Sequence, residues 1–296
     1  MSRQDEAANL ARFQALNEGI EDALDARVDA HQADVAQGMA LAAAGGAPPL
    51  NLVADGDSWF DYTLGGDFPG DHTDVLAQLR AIGQPQPRIL SLAHYGDTTR
   101  VELGLTRRRR LVKALSDPRN GKVDAILMSG GGNDIVADAL PIWLNRSSAV
   151  GGDPAKGLSE ERFAGALAGV RAGYESLAEL RDLHAPGTPI FVHAYDFAIP
   201  NGVGVYCIGP WLKPGLEYAG WTDLKGGTVI IHTMLARFGA MLQSFAAATP
   251  DVVFVDTQGT LAANQWANEL HPDPAGFKLI AAKFRKALAA RFPGRV

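Results

Sequence analysis

Apolar and polar positions follow two alternating patterns along most of the chain. From residue 50 onward, short apolar runs are separated by longer stretches in which apolar residues recur at every third or fourth position. The short runs predict strands, and the longer stretches predict amphipathic helices. The predicted strands cover residues 50–54, 88–93, 123–128, 189–194 and 252–256. The predicted helices cover residues 73–82, 99–115, 160–183, 228–247 and 274–291.

This regular succession of strand and helix predicts an α/β fold. Right-handed crossovers between successive strands produce a parallel sheet that is covered by helices on both faces. In open sheets of this kind, ligands bind at the carboxyl ends of the strands. We therefore expect the functional residues to lie directly after predicted strands.

The residues before the first strand show a different pattern. An apolar stripe with helical spacing runs from Leu10 to Met39, and Gly45-Gly46-Ala47-Pro48-Pro49 follows it. The spacing predicts one long amphipathic helix, and the glycines and prolines predict its end and a linker. We therefore divide the chain into a helical extension, residues 1–49, and a main domain, residues 50–296. We interpret the stripe as packing on its own domain, with a homo-oligomer seam or a flap over the site as alternatives.

Composition narrows the class of protein. With 296 residues, of which 47% are hydrophobic, the chain is long enough to bury the core of one large domain. The formal net charge of -6 gives no reason to expect a nucleic acid or an anionic membrane surface as partner. A small neutral or polar molecule is the easier ligand to accommodate.

The cysteine content and the amino-terminal sequence bear on the cellular location of the protein. Cys207 is the only cysteine, so no intrachain disulfide and no cysteine-rich zinc site can form. The amino terminus is charged and does not have the pattern of a signal peptide. No apolar stretch looks long enough to cross a bilayer. We expect a cytoplasmic protein without a membrane span.

Four residues with useful chemistry occupy the places where ligands are expected. Ser58 follows the first predicted strand, Gly96 the second and Asn133 the third, while His271 lies in the loop before the last helix. Serine hydrolysis requires a nucleophile, a base that takes its proton, and donors for the oxyanion of the tetrahedral intermediate. The chain supplies a candidate for each of these roles.

The order of these residues and of their neighbours resembles that of the SGNH hydrolases, also called the GDSL lipase and esterase family. The matching motifs, which span residues 50 to 291 of the chain, are Gly56-Asp57-Ser58, Ala93-His94-Tyr95-Gly96-Asp97, Gly131-Gly132-Asn133-Asp134 and Asn268-Glu269-Leu270-His271. The last motif departs from the family pattern, which usually has an acid three residues before the histidine. The resemblance implies a flavodoxin-like three-layer α/β/α sandwich with a five-stranded parallel sheet.

The resemblance also implies a role for each matching residue. Ser58 would attack the acyl carbonyl of a small-molecule ester, and His271 would be the general base. The backbone N–H groups of Ser58 and Gly96 and the side-chain amide of Asn133 would form the oxyanion hole. The implied activity is carboxylic ester hydrolysis through an acyl-enzyme, without a cofactor or a metal ion.

The group that supports the base is open at the level of sequence. Asn268 occupies the usual place of the acid, and an amide oxygen can accept the imidazole N–H but adds no negative charge. Alternatively, the neighbouring Glu269 serves as the acid, or a backbone carbonyl supports a Ser–His dyad. We favour a weakly assisted dyad in which Asn268 lies near His271.

Two other functions are alternatives to ester hydrolysis. Asp55 and Asp57 could be the nucleophile and the acid of a Mg²⁺-dependent phosphatase loop, although Asn133 and His271 would then have no role. A non-enzymatic scaffold with a degenerate site is the second alternative, because the acid of the family is replaced by Asn268.

Substrate specificity is expected to come from loops. Residues 197–221 follow the fourth predicted strand and are rich in aromatic residues, glycine and proline, which suggests a wall of the substrate pocket. Packing of these rings onto their own domain is the alternative. The candidate substrate-binding residues are Asp57, Trp59, His94, Tyr206 and Trp211. Residues 107–110 are four arginines within a predicted helix, which we interpret as a solvated helix face.

Overall fold

The computed structural model describes residues 3–42, 48–62, 73–205 and 209–296, with the side chains of the first helix described from residue 18 to residue 38. Its centre is a sheet of five parallel strands in the order β2-β1-β3-β4-β5. The strands are β1 (Asn51–Gly56), β2 (Arg88–Ser91), β3 (Ala125–Ser129), β4 (Ile190–His193) and β5 (Val252–Val255). This is the flavodoxin-like order of a doubly wound sheet, so the predicted fold class is confirmed.

Helices cover both faces of the sheet. Their bounds are α1 (Arg3–Ala42), α2 (Val75–Ile82), α3 (Thr99–Glu102), α4 (Leu105–Ser116), α5 (Leu140–Trp143), α6 (Glu160–His184), α7 (Lys213–Tyr218), α8 (Leu224–Ala248) and α9 (Pro274–Arg291). Short 3-10 turns occupy Pro118–Asn120, Ala137–Ala139, Ser147–Val150 and Pro154–Lys156. Helices α2 and α9 pack together, while α4, α6 and α8 pack in succession. The three central strands, β1, β3 and β4, are buried along their whole length, as a sheet covered on both faces requires.

The predicted helix over residues 99–115 is in fact two helices. Gly104 lies between α3 and α4 in an extended conformation and caps α4. A side chain at Gly104 would come 2.8 Å from the carbonyl oxygen of Arg100, so the chain turns there without one. The helical spacing continues across this break, which is why the apolar pattern alone did not indicate it.

The described side chains of α1 pack on the main domain. Leu24 and Val35 are buried, and α1 contacts β2 and the Pro118–Asn120 turn. Arg27 forms an ion pair of 2.8 Å with Asp61, and Arg110 of α4 pairs with acids of α1. These contacts agree with packing on the same chain, while the homo-oligomer seam and the flap stay predictions.

Helix α8 corrects the expectation that no apolar segment has the length of a membrane span. By length and composition, α8 is long and apolar enough to cross a bilayer. Ile230, Met234 and Phe238 of this helix are fully buried, and α8 packs on β4 and β5. Packing on the sheet accounts for its hydropathy, since core helices reach the same value.

Candidate active site

Ser58 lies on a tight turn at the carboxyl end of β1. The turn begins at Gly56, whose φ of 149° favours glycine and where a Cβ would come 2.1 Å from the carbonyl oxygen of Ser129. The backbone N–H of Asp57 donates to that carbonyl over 2.8 Å, and Phe60 N–H donates back to the Asp57 carbonyl over 3.0 Å. The turn is therefore fixed to β3, and Ser58 is held at the edge of the sheet where ligands bind.

His271 reaches Ser58 from the loop before α9. The loop is held by a β-bridge between Trp266 and Pro272, and Asp273 caps α9 by accepting the Gly276 N–H over 2.7 Å. His271 Nε2 lies 2.7 Å from Ser58 Oγ. The structure thus brings the predicted nucleophile and the predicted base into hydrogen-bond contact.

Asn268 lies beside Nδ1 of His271 and fixes the tautomer of the ring. Its Oδ1 accepts the backbone N–H groups of Leu270 and His271, each over 3.0 Å, and lies 3.0 Å from His271 Nδ1. Because backbone N–H groups only donate, the oxygen end of the amide must face them, and His271 Nδ1 must then donate as well. His271 Nε2 is left with a lone pair that faces the Ser58 hydroxyl. The other end of the amide donates from Nδ2 to the Tyr62 hydroxyl over 2.9 Å.

Glu269 is not positioned as the acid of a triad, which corrects that alternative. Its carboxylate is fully buried and accepts the backbone N–H groups of Gly202, Trp211, Leu212 and Lys213 over 2.7–3.1 Å. The carboxylate therefore anchors the loop after β4 and does not contact His271. Backbone N–H groups of that loop stabilise its negative charge through hydrogen bonds.

We predict that Glu269→Gln destabilises the protein and leaves most of its turnover. The amide places an NH₂ group among four N–H donors, which should lower the free energy of unfolding by about 3 kcal/mol. Thermal unfolding and kcat, measured together at a temperature where the variant stays folded, check this. A variant of unchanged stability that has lost all turnover would instead make Glu269 the acid.

The predicted oxyanion donors follow three neighbouring strands: Ser58 follows β1, Gly96 follows β2 and Asn133 follows β3, and Gly96 is not among the residues that line the cavity beside Ser58. Within the described residues, the backbone N–H groups of Ser58 and Gly96 have no protein acceptor. Gly96 has a φ of 82°, and the space around its Cα is open. Asn133 Nδ2 donates one hydrogen to the Asp97 carbonyl over 2.8 Å, which fixes the amide and leaves its second hydrogen for a ligand. Asn133, Ser58 and His271 line the same cavity.

We predict that Asn133→Ala lowers kcat by about 10²- to 10³-fold with a smaller change in KM, because one donor to the oxyanion is lost. Kinetics with a single short-chain ester check this. Asn201→Ala is the matched control, since Asn201 is an exposed amide outside the cavity, and it should keep the rate of the wild type. Equal rates for Asn133→Ala and the control would remove Asn133 from the oxyanion hole.

Burial determines the protonation state of His271. It lowers the pKa of His271 to about 3, so the imidazole is neutral and able to accept a proton at neutral pH. Because this pKa lies below the ordinary value of 6.5, the stability that neutral His271 gives is present above pH 6.5 and is lost as the pH falls towards 3. The imidazole of His271 can therefore accept a proton at neutral pH, but it is a weak base.

Asp57 supports the turn that carries Ser58 from inside the domain. Its carboxylate accepts the Trp59 N–H over 3.0 Å, the Ser129 hydroxyl over 3.1 Å and the Tyr195 hydroxyl. Burial raises the pKa of Asp57 to about 6, while these hydrogen bonds oppose the rise. These three partners all belong to the protein, so the Asp57 carboxylate supports the turn that carries Ser58. Asp57 also lines the cavity beside Ser58, and its contact with substrate stays a prediction. Tyr195, which the sequence prediction missed, follows β4 directly and also accepts the Gly132 N–H over 3.2 Å.

The other predicted substrate-binding residues have different surroundings. Trp59 lines the cavity and donates from its indole to the Leu270 carbonyl over 3.0 Å. Trp211 lies perpendicular to the His271 ring, with 5.6 Å between the ring centroids. His94 stacks on Tyr95 and faces Asp97, outside the residues that line the cavity. The prediction for Tyr206, like the remark on Cys207, lies outside the described residues.

The phosphatase alternative does not fit the position of Asp55. Asp55 lies within β1 and is 2% exposed, and its pKa is raised to about 7 by burial. Its Oδ1 accepts the Gly56 N–H over 2.9 Å, and it is not among the residues that line the cavity with Ser58. In the described part of the chain, no three His, Cys, Asp or Glu side chains come together so as to hold a metal ion. A phosphoester in the cavity would not reach Asp55.

Arg107 corrects the interpretation of the four arginines as a solvated face. Its side chain is 9% exposed and forms an ion pair of 3.2 Å with Asp97. Asp97 in turn accepts from Asn133 through its backbone carbonyl. Arg107 therefore helps to hold the loop that carries the predicted Gly96 donor.

Comparisons with known proteins identify the fold. No protein-family model matches the chain, and no curated protein matches it. The lipase Lip_vut3 from a goat rumen metagenome is similar in structure, with a TM-score of 0.51 and 16% identity over 80% of this chain and 97% of that one. An extracellular lipase from Streptomyces rimosus has a TM-score of 0.50 and 17% identity, over 80% and 99%. Phospholipase A1 from Streptomyces albidoflavus NA297 has a TM-score of 0.51 and 15% identity, over 81% and 99%. The chain has the fold of the SGNH hydrolases, as its motifs predicted.

Proposed function

We propose that this protein is a serine hydrolase that cleaves carboxylic esters of short acyl groups through an acyl-enzyme on Ser58. The observation that carries the proposal is the contact of 2.7 Å between Ser58 Oγ and His271 Nε2, behind which Asn268 Oδ1 fixes the tautomer of the ring. The similarity to two lipases and a phospholipase adds support at the level of fold.

In the first half of the reaction, His271 Nε2 takes the Ser58 proton while Ser58 Oγ bonds to the acyl carbon. The carbonyl π electrons move to the oxygen, which accepts hydrogen bonds from the oxyanion donors. The imidazolium then gives its Nε2 proton to the leaving alcohol as the C–O bond breaks. In the second half, water takes the place of the alcohol, and the same proton route releases the acid.

The order of donors and acceptors favours an enzyme over a scaffold with a degenerate site. In a non-catalytic protein, the hydrogen bonds that join the backbone, Asn268, His271 and Ser58 need not run in one direction. Here they do, and they leave His271 Nε2 free to accept the Ser58 proton.

The cavity beside Ser58 suggests the acyl length. It has a volume of about 40 Å³, and one water-sized group occupies roughly 10–15 Å³ by the same measure. The space therefore holds about three such groups, which suits an acetyl to butyryl chain. Its apolar walls are Ile135, Val136, Ala198, Leu235, Trp266 and Leu270.

We predict that nitrophenyl acetate and butyrate are better substrates than longer esters. Forcing extra methylenes into a packed site costs about 1–3 kcal/mol, so kcat/KM should fall by about 5- to 150-fold from butyrate to octanoate. A panel of nitrophenyl esters from acetate to palmitate checks this. A rate that rises steadily towards palmitate would contradict the proposed acyl length.

Leu235→Ala provides a matched variant for the panel. Leu235 is buried on α8 and forms one wall of the cavity without contacting Ser58 through a hydrogen bond. Removing its side chain enlarges the cavity, so the optimum should move to a longer acyl group while acetate is still cleaved. An unchanged optimum would place the acyl group elsewhere.

A further inference from the structure

The transition state of the proposed reaction places a positive charge on a buried ring. When His271 takes the Ser58 proton, its Nδ1–H donates to the neutral oxygen of Asn268, so no carboxylate balances the imidazolium. Glu269 lies next in the chain, but its carboxylate is bound to loop N–H groups. Asp57 is directed to Ser129 and Tyr195. Among the described residues, the stabilisation must therefore come from uncharged neighbours.

Tyr62 covers one face of the His271 ring. The two ring centroids are 4.2 Å apart and the planes differ by 15°, which is a stacked arrangement. Tyr62 is 3% exposed. Its hydroxyl accepts from Asn268 Nδ2, and its ring also packs against Phe277, so its position is fixed from two sides. The face of an aromatic ring is negative and attracts a cation, most strongly where water is excluded.

We propose that Tyr62 is a positioning residue whose ring face stabilises protonated His271, because the neutral amide of Asn268 occupies the place where an SGNH hydrolase usually has a carboxylate. This inference rests on the proposed function for its catalytic consequence. Tyr62 exchanges no proton and forms no bond with the substrate. The proton moves from Ser58 Oγ to His271 Nε2 and then to the leaving alcohol, while the Tyr62 ring stays parallel to the imidazole.

The expected size of this stabilisation follows from the strength of cation–π interactions in proteins in general. The attraction corresponds to a factor of about 2 to 30 in the rate of a step that forms the cation. The burial that lowers the pKa of His271 makes the charged form costly, so stabilisation of this size affects turnover. Tyr62 does not line the cavity. Its loss should therefore lower kcat and leave KM nearly unchanged.

The comparison of Tyr62→Leu with Tyr62→Phe isolates the effect of the aromatic ring on kcat. Both variants lose the hydroxyl that accepts from Asn268, but only Tyr62→Phe keeps a π face over His271. We expect kcat for Tyr62→Leu to be about 2- to 30-fold below that of Tyr62→Phe, with the same KM. Equal kcat values for the two variants would overturn the proposal.

A titration of His271 by nuclear magnetic resonance tests the same point without turnover. Asn268→Asp is introduced first, so that a carboxylate raises the pKa of His271 into a range where the protein stays folded. In that background, Tyr62→Leu should lower the pKa of His271 by about 0.4 to 1.5 units relative to Tyr62→Phe. An equal or higher pKa in the leucine variant overturns the role of the ring. If the wild type cleaves no ester, the proposed function fails, and the titration still decides the role of Tyr62.

Discussion

Ser58→Ala is expected to lower kcat/KM for short-chain esters by about 10³- to 10⁵-fold. Full triads that are supported by a carboxylate lose about 10⁶-fold when the serine is removed. The expected loss is smaller here because the wild-type rate is itself lower, since His271 is supported by an amide and not by a carboxylate. The measurement is steady-state hydrolysis of nitrophenyl acetate at pH 7, with the unfolding temperature determined in parallel.

The control for this variant is Ser91→Ala. Ser91 is buried at the end of β2, and its hydroxyl has no hydrogen-bond partner among the described residues. Its removal should therefore leave both stability and kcat/KM near those of the wild type. If Ser58→Ala keeps more than a tenth of the wild-type rate while folded, Ser58 is not the nucleophile.

The second large effect is expected at Asn268, where two substitutions should act in opposite directions. Asn268→Leu removes the acceptor that fixes the His271 tautomer, and loss of the correct tautomer costs up to about 10⁴-fold in a serine triad. Asn268→Asp keeps an acceptor and adds a negative charge, which should raise the rate by about ten-fold. The hydroxyl of Tyr62 can accommodate the change, since it can donate to a carboxylate as well as accept from an amide.

The pH profile of kcat/KM distinguishes these effects from general damage. His271 must be neutral to act as the base, and burial holds its pKa near 3, so the wild type should keep its activity well below pH 6.5. Asn268→Asp should raise this pKa by about 1–3 units and move the acidic limb of the profile upward. An aspartate variant with an unmoved limb and no gain in rate would contradict the role assigned to Asn268.

The strands and most helices could be predicted because their signals are local. Residues 252–256 were predicted as a strand, and β5 covers Val252–Val255, while the last helix has the predicted bounds. An apolar run or an apolar stripe is set by burial on one side of an element, and this burial shows directly in sequence spacing. Crossover geometry predicted a parallel sheet covered on both faces, and the resemblance to the SGNH hydrolases implied its flavodoxin-like architecture.

Asn268 lies beside His271, as the interpretation favoured from the sequence has it, but the alternative of Glu269 could not be excluded from the sequence, because the geometry depends on distant contacts. Asn268 and Glu269 are neighbours with similar reach, and the local pattern does not say which one faces the ring. Glu269 is drawn away by the N–H of Leu212, which lies 57 positions earlier in the chain. Tyr62 and Tyr195 were missed for the same reason, since a buried tyrosine near a strand end looks like core packing in sequence.

The central claim is that His271 activates Ser58 as a nucleophile, and covalent labelling tests it most directly. The folded wild type, Ser58→Ala and His271→Ala are treated with a fluorophosphonate, and the labelled peptide is identified by mass spectrometry. We predict a single adduct on Ser58 in the wild type, none at that position in Ser58→Ala, and labelling at least about 10²-fold slower in His271→Ala. A folded wild type whose Ser58 does not react, or a Ser58 that reacts equally fast without His271, would contradict the account.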